Sequence, residues 1–305
     1  MPQRMKNILK SFSRECAYWF GRKCPQIYVY IRYWFRFHKL PHLKNPHNLN
    51  EKILYLALNT DTSMWTELAD KYRVREYVEN CGYAETLPQL YGVWKNAEDI
   101  DFDSLPQSFV LKTNHGCGDV QIIKDKSEIN LSKLTHYFNH ILRTVYGGYE
   151  KHYARIKPLL IAEQLLVNDL DTQKYSNGII DYKLWCFNGI CHYIAVYYDR
   201  DSNHNTKVII YDCEWKAHPE YYNETSARFK RGYEIPKPGN LDKMIRMAET
   251  LSKPFPCVRV DLYNISGKIY FGEMTFTSSG GMMINFTDDF LDKAGSVIDI
   301  NYAGG

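Results

Sequence analysis

What this chain lacks narrows it first. Its eight cysteines include no Cys-x-x-Cys pair, which argues against a zinc ribbon and against a thioredoxin-type redox site. No apolar run approaches the ~20 residues needed to span a bilayer. The first ten residues show no apolar core followed by a cleavage site, so no secretory signal is read there. Without an export signal, the thiols are expected to be reduced and the protein cytoplasmic. Internal repeats and low-complexity linkers are also missing. Acidic residues are scarce at one end: positions 1–50 hold ten Lys or Arg against the single acid Glu15. That local +9 hides inside a net charge of +3, leaving −6 on the remainder.

What is present is a globular composition, 45% hydrophobic and 24% charged, which excludes disorder as the main state. A length of 305 residues allows two or three packed subdomains. The basic segment is aromatic as well, from Tyr18 through Phe37. Such a segment, residues 1–47, suits an anionic membrane surface or a polyanionic glycan; nucleic acid is not expected. The other reading is a helix or two held on the body by the aromatics, with the basic residues in water.

Asn50 is expected to open a short helix over 51–58. A longer helical pattern runs through Trp65, Leu68, Tyr72 and Val78 to a stop at Gly82. Strands are read at 86–94, 108–113, 120–124 and 158–166. An amphipathic helix over 131–145 has Asn130 or Ser132 as its cap. Beyond a polar loop, 179–187 and 190–198 form a hairpin around Asn188-Gly189. A strand at 208–211 follows, then a helix over 241–251 capped by Asn240 and halted by Pro254.

The densest signal is a second hairpin, 258–276. With a three-residue loop at Ile265-Ser266-Gly267, Asp261 faces Phe271 and Arg259 faces Glu273. Arg259, Asp261, Phe271, Glu273 and Thr275 then share one face, and Asp261 and Glu273 are diagonal neighbours able to grip Mg²⁺. A two-residue turn would put the two acids on opposite faces. Upstream, Lys112 ends an apolar strand and leads into a loop with Gly116 and Gly118. A strand-end lysine beside a flexible glycine loop suits a nucleotide triphosphate, though the loop is not a Walker loop. Glu163 closes another strand ahead of Gln164, Leu165 and Leu166, a candidate adenine hinge. Asp181 and Lys183 face the same way on the next.

The succession of these segments resembles the ATP-grasp fold, and one branch in particular, the TupA-like family linked to teichuronopeptide and capsular polysaccharide synthesis. The matching stretches are Asn50-Glu-Lys-Ile, Leu68-Ala-Asp-Lys-Tyr-x-Val-Arg-Glu-Tyr-Val78, Leu105-Pro-x-Ser-Phe-Val-Leu-Lys-x-Asn-His-Gly-x-Gly118, Asp181-Tyr-Lys-x-x-Cys-Phe-Asn-Gly189, Val258-Arg-Val-Asp-Leu-Tyr and Gly272-Glu-x-Thr-Phe-Thr277. The resemblance covers about residues 48–290. It implies an α+β chain in which two subdomains clamp ATP: a basic arm (1–47), a helical region (48–105), a small subdomain (106–166) and a large one with the metal site (167–305).

Carried over by position, Lys112 and Lys183 bind phosphates, and Glu163 with the 164–166 backbone holds the adenosine. Asp261 and Glu273 ligate Mg²⁺, with Thr275 where many such ligases have Asn. Arg259 holds the transferring phosphoryl group. Asn114, His115, Gly116, Gly118 and Asp181 complete the nucleotide site, and Lys71 reaches toward nucleotide or acceptor. The implied activity is an ADP-forming amide ligase joining a uronic acid of a polysaccharide precursor to an amino acid or small amine. A glycan kinase and a non-catalytic binding protein are the rival readings.

Overall fold

The computed structural model describes residues 15–116, 118–200, 205–224 and 229–304; the readings made at 1–14 and at Cys117 lie outside them. Among the described residues ten strands form two sheets. The smaller has the order β1 (Leu90–Trp94), β4 (Leu160–Glu163), β2 (Phe109–Thr113), β3 (Val120–Ile123), all antiparallel. The larger has the order β10 (Lys268–Thr275), β9 (Cys257–Ile265), β5 (Asp181–Phe187), β6 (Ile190–Tyr198), β7 (Thr206–Asp212), β8 (Phe229–Arg231). Among the described residues only the short β7–β8 pair is parallel. The chain is thus α+β with a helical amino-terminal region, as expected. Strand β1 lies within the stretch 86–94 read as a strand, inside the region 48–105 whose other elements are helical, and pairs with β4.

Each sheet has its own core. The small one buries Phe109, Leu111, Leu160 and Ala162 against Phe138 of α5 (Leu131–Leu142). The large one is continuous with α2 (Leu49–Asn59), α3 (Ser63–Ala69) and α4 (Val74–Asn80), which contribute Ile53, Leu56, Trp65, Leu68 and Val78. It is closed by α7 (Leu241–Ser252) and by α8 (Asp288–Val297), a helix the sequence pattern did not reveal. A third cluster seats α1 (Pro25–Phe37) on the body through Tyr28, Val29 and Tyr33 against Leu54, Tyr149 and Met282. The basic segment is therefore a packed helix over this span, the second of the two readings above. The short helix α6 (Lys151–Arg155) lies between the two halves of the chain sequence.

Local chemistry moves several expected boundaries. Asn48, not Asn50, caps α2 by accepting from Glu51 N at 3.0 Å. Asn50 is buried, trading hydrogen bonds with both backbone groups of Met283. Asn240 makes no side-chain cap on α7 and instead donates to the Gly267 carbonyl at 2.7 Å. Asn130 does cap α5. The single long helix expected across 65–78 is broken at Asp70, whose carboxylate takes the N–H groups of Tyr72 (2.8 Å) and Arg73 (3.2 Å). Aspartate offers the backbone a local partner that competes with helix continuation.

Candidate active site

The hairpin β9–β10 turns through two residues, Ser266 (φ 51°) and Gly267 (φ 77°), the type I′ geometry that matches strand twist. The three-residue loop is therefore incorrect. Phe271 pairs with Leu262 rather than with Asp261, and leaves the site face. A bulge at Gly272 then shifts the register by one, so Glu273 lies directly across from Asp261 and Thr275 across from Arg259. The extra residue re-aims the strand end. Gly272 is tight there: a Cβ would sit 2.9 Å from the Asp261 carbonyl oxygen.

Strand β5 extends the pattern, since Lys183 pairs with Asp261 and Trp185 with Arg259. One face of three adjacent strands therefore carries two rows, Lys183–Asp261–Glu273 and Trp185–Arg259–Thr275. Arg259 grips Asp261 through Nε (2.6 Å) and Nη2 (2.8 Å) and reaches Glu273 (3.3 Å), Thr275 Oγ1 (3.1 Å) and Ser278 Oγ (2.9 Å). Lys183 closes a short ion pair on the second Asp261 oxygen. The Thr275 hydroxyl donates to Glu273 at 3.1 Å. Asp181 stands on the same face and pairs with Arg200 at 2.9 Å.

Burial and charge oppose each other in this network. Burial pushes the Asp261 carboxyl above its ordinary range, against the pull of Arg259 and Lys183. Burial works the same way on Glu273, but there Lys71, Arg259 and Lys183 win and hold its carboxyl down to about 2. Burial alone would lower the pKa of Lys183; Asp181 and Asp261 outweigh it and raise the pKa. Asp261 is only 3% exposed at its side chain against 39% for Glu273. Glu273 is thus the anion with room for a further partner. Two carboxylates and a hydroxyl are hard oxygen donors. They fit Mg²⁺, which is held by one or two carboxylates while phosphates and water complete its shell. Among the described residues no cluster of three His, Cys, Asp or Glu could hold a metal by itself.

The small sheet carries a second ionic group. Lys112 pairs with Glu163 at 2.5 Å. Arg75 of α4, which sequence reasoning missed, reaches the same carboxylate at 3.3 Å and the Pro88 carbonyl at 2.9 Å. Its signal was available: Arg75 lies four residues after Lys71 within a motif already singled out. The Gln164 N–H is spent on the Gln89 carbonyl at 2.8 Å, so Gln164 ties the hinge to the chain ahead of β1. The next backbone groups, at Leu165 and Leu166, lead on from it.

The helix break at Asp70 delivers Lys71. Its backbone N–H donates to the Asn114 carbonyl and its ammonium to the Gly116 carbonyl at 2.6 Å, while its charge is felt by Glu273. Lys71 thus touches the glycine loop and faces the acidic row at once. Asn114 is fully buried, its carboxamide spent on Asp70, the Lys157 carbonyl and the Leu159 N–H; it braces the loop from behind. His115 is also buried. Burial lowers its pKa, and its Nε2 donates to the Thr144 carbonyl at 3.1 Å, so it is a neutral prop. A Cβ at Gly116 would lie 1.8 Å from Asp119 Oδ2, so any side chain there would displace that carboxylate. Gly118 is left-handed at φ 84°.

A sequence model of one protein family, TupA-like ATPgrasp, matches residues 51–298. The chain belongs to that family. Its two sheets are accordingly those of an ATP-grasp fold. No curated protein is significantly similar in sequence. Among solved structures, the D-alanine–D-alanine ligase of Bacillus anthracis complexed with ATP is 16% identical, with 76% of this chain and 57% of that one covered and a TM-score of 0.39. A second structure of that ligase gives 16%, 83%, 66% and 0.42. The L-amino acid ligase of Bacillus licheniformis gives 15%, 76%, 49% and 0.44. This chain spans half to two thirds of the length of these ligases, and the family match, not these distant likenesses, carries the assignment.

Proposed function

We propose that this TupA-like protein is an ATP-dependent ligase that joins a carboxylate to an amine, the carboxylate being a uronic acid of a cell-surface or capsular polysaccharide precursor and the amine an amino acid or small amine. The observation that carries the reading is the grid of Lys183, Asp261, Glu273, Arg259 and Thr275, with Lys71 acting on Glu273 and a second ionic pair, Lys112–Glu163, on the small sheet. In this reading a carboxylate oxygen attacks the γ-phosphorus of ATP and the bond to ADP breaks. The amine nitrogen then attacks the acylphosphate carbonyl, phosphate leaves, and the nitrogen gives up a proton. Such chemistry needs charge neutralised and groups oriented more than it needs a protein nucleophile. Lys112, Lys183 and Lys71 would neutralise the triphosphate, and the 163–166 segment would take the adenosine. Arg259, locked by five hydrogen bonds, would meet charge that develops as the phosphoryl group moves. Asp261 and Glu273 would hold Mg²⁺, which supplies further neutralisation of phosphate charge.

The test is the fate of the phosphoryl group. Hydroxylamine supplied in place of the amine should trap the activated uronic acid as a hydroxamate, with ADP formed in equal amount. A stable phosphate ester on the sugar, with ADP release indifferent to any amine, would instead identify a glycan kinase. Contact with an anionic membrane surface, as part of the same proposal, draws support from the outward face of α1, where Ile27, Ile31, Trp34 and Phe35 are exposed. No helix of the described residues is long and apolar enough to cross a membrane.

A further inference from the structure

Helix α1 is inverted relative to what burial alone would choose. At 100° per residue, Arg32 and Arg36 lie on the same side as Tyr28, Val29 and Tyr33, which pack on the body. Ile27, Ile31 and Trp34 lie on the other side, 56%, 43% and 50% exposed. The two cations stay exposed but on the side that meets the body, while the large apolar residues face away from it.

Beneath those cations are two adjoining cavities. One, about 270 Å³, is lined by Arg36 and Arg259 with Ser278, Trp185, Tyr197 and Phe286. The other, about 320 Å³, is lined by Arg32, Phe35, Arg36, Ser279 and Met282. Because Arg36, Ser279 and Met282 line both, they form one groove running from Arg259 out along α1. Arg32 has a hydrogen bond to Tyr28 Oη at 3.4 Å. Arg36 has neither an ion pair nor a hydrogen bond among the described residues. The floor is the loop over 277–281, where Ser279 (φ 50°), Gly280 (62°) and Gly281 (60°) are left-handed in succession. Packing over-determines that backbone: Tyr149 Oη donates to the Gly280 carbonyl, and Gly281 lies so close to Leu54 that a Cβ would meet its Cγ at 2.9 Å. Strain held in this way clusters at ligand sites.

We infer that this groove seats the carboxylate substrate, and that Arg36, with Arg32 beyond it, holds a second anion of that substrate, the phosphate of a glycosyl phosphate or diphosphate. The inference rests on the ligase reading. A free uronic acid has one negative charge, and that charge belongs at the Arg259 end where phosphoryl transfer would occur. The unpaired guanidinium at the other end calls for another anion, and its fork fits phosphate in a bidentate manner. Between them, Trp185, Tyr197 and Phe286 offer apolar ring surface for a sugar. Arg36 lies outside the family-matched residues 51–298, so it would select the substrate rather than serve the shared chemistry.

Binding and turnover of glucuronic acid, glucuronic acid 1-phosphate and UDP-glucuronic acid by the full chain test this. With Mg²⁺ and a non-hydrolysable ATP analogue present, calorimetry should show the two phosphorylated ligands binding about 10- to 100-fold more tightly than the free acid. Arg36→Ala should erase that advantage and raise the KM for the phosphorylated ligands by a similar factor while the KM for ATP holds. Arg36→Lys should restore part of it. Stronger binding of UDP-glucuronic acid than of the 1-phosphate would mark a nucleotide-linked donor, and equal binding a donor read by its phosphate alone, as a lipid-linked sugar would be. Equal binding of all three ligands by the wild type would overturn the inference, as would discrimination unchanged in folded Arg36→Ala, with Arg36→Gln as a second variant. Because calorimetry needs no turnover, phosphate discrimination without any hydroxamate would sink the ligase reading and leave the anion site standing.

Discussion

The two sheets solve a similar problem in different ways. Each sets lysine against acid on its cleft face. The large sheet builds a closed account of charge: Lys183 and Arg259 face Asp261 and Glu273, with a hydroxyl bridging at Thr275. Those residues come from three neighbouring strands, so the backbone register sets their positions. The small sheet leaves an excess, with Lys112 and Arg75 sharing the single carboxylate of Glu163. Its second cation comes from a helix. The difference teaches that a neutral network fixes geometry, whereas an unbalanced one keeps attraction in reserve for an anionic ligand.

Breaking the closed network should have the largest effect. Asp261→Ala would leave Arg259 and Lys183 buried without their shared anion, so unfolding free energy should fall by about 3–5 kcal/mol. The same variant should lose about 100- to 1,000-fold in kcat for hydroxamate formation. Lys112→Ala should be gentler on the fold, because Glu163 keeps Arg75. Its melting curve should stay within about 1 kcal/mol of wild type, with the KM for ATP raised about 10- to 100-fold. If Lys112→Ala unfolds as readily as Asp261→Ala, the contrast between the sheets fails.

A third change touches the register without removing any charge. Gly272→Ala pushes a methyl against the Asp261 carbonyl and should cost about 1–3 kcal/mol in a urea melt, together with part of the activity as Glu273 shifts. The smallest effect sharpens the comparison by pH. His152, buried beside Trp65 and Thr277, has its pKa lowered to about 3 by burial, with Arg155 adding to it. The unfolded chain accepts the proton that the folded one refuses, so stability is complete above about pH 6.5 and is lost as pH falls from there toward 3. Between pH 6.5 and 5 the loss should be about 2 kcal/mol, and His152→Phe should flatten it. Glu273 is depressed to about 2, so its contribution is complete above about pH 4.5 and fades only below that. Titration of Glu273 above pH 5 would contradict this order.

The sequence made the family and the site face legible, but not always through correct steps. Asp261 and Glu273 do share a face. A two-residue turn flips the strand, and the bulge at Gly272 flips it back, so two changes of parity cancel. Turn chemistry alone cannot show a bulge, because the signal is one glycine among eighteen. The Asn188-Gly189 turn was plain, since its left-handed pair (φ 51° and 77°) is what Asn-Gly favours. Asn240 and Asn50 were misread for a common reason: each spends its side chain on a distant backbone group, which no local pattern encodes. That Arg32 and Arg36 share the body-facing side of α1 was hidden likewise. Composition showed a basic aromatic segment, while only packing decides which side of a helix meets the protein.

The interruption at Asp70 has one more consequence. Lys71 is joined to the Gly116 carbonyl and depresses Glu273 at the same time. One ammonium therefore reports the position of the glycine loop to an acid on the other sheet. Were the loop to lift, or a phosphate to draw Lys71 toward itself, Glu273 would lose part of the field that keeps it ionised, and its titration would move upward. The carboxylate acts as a gauge of the distance across the cleft, read in the carboxyl carbon shift of a single labelled glutamate.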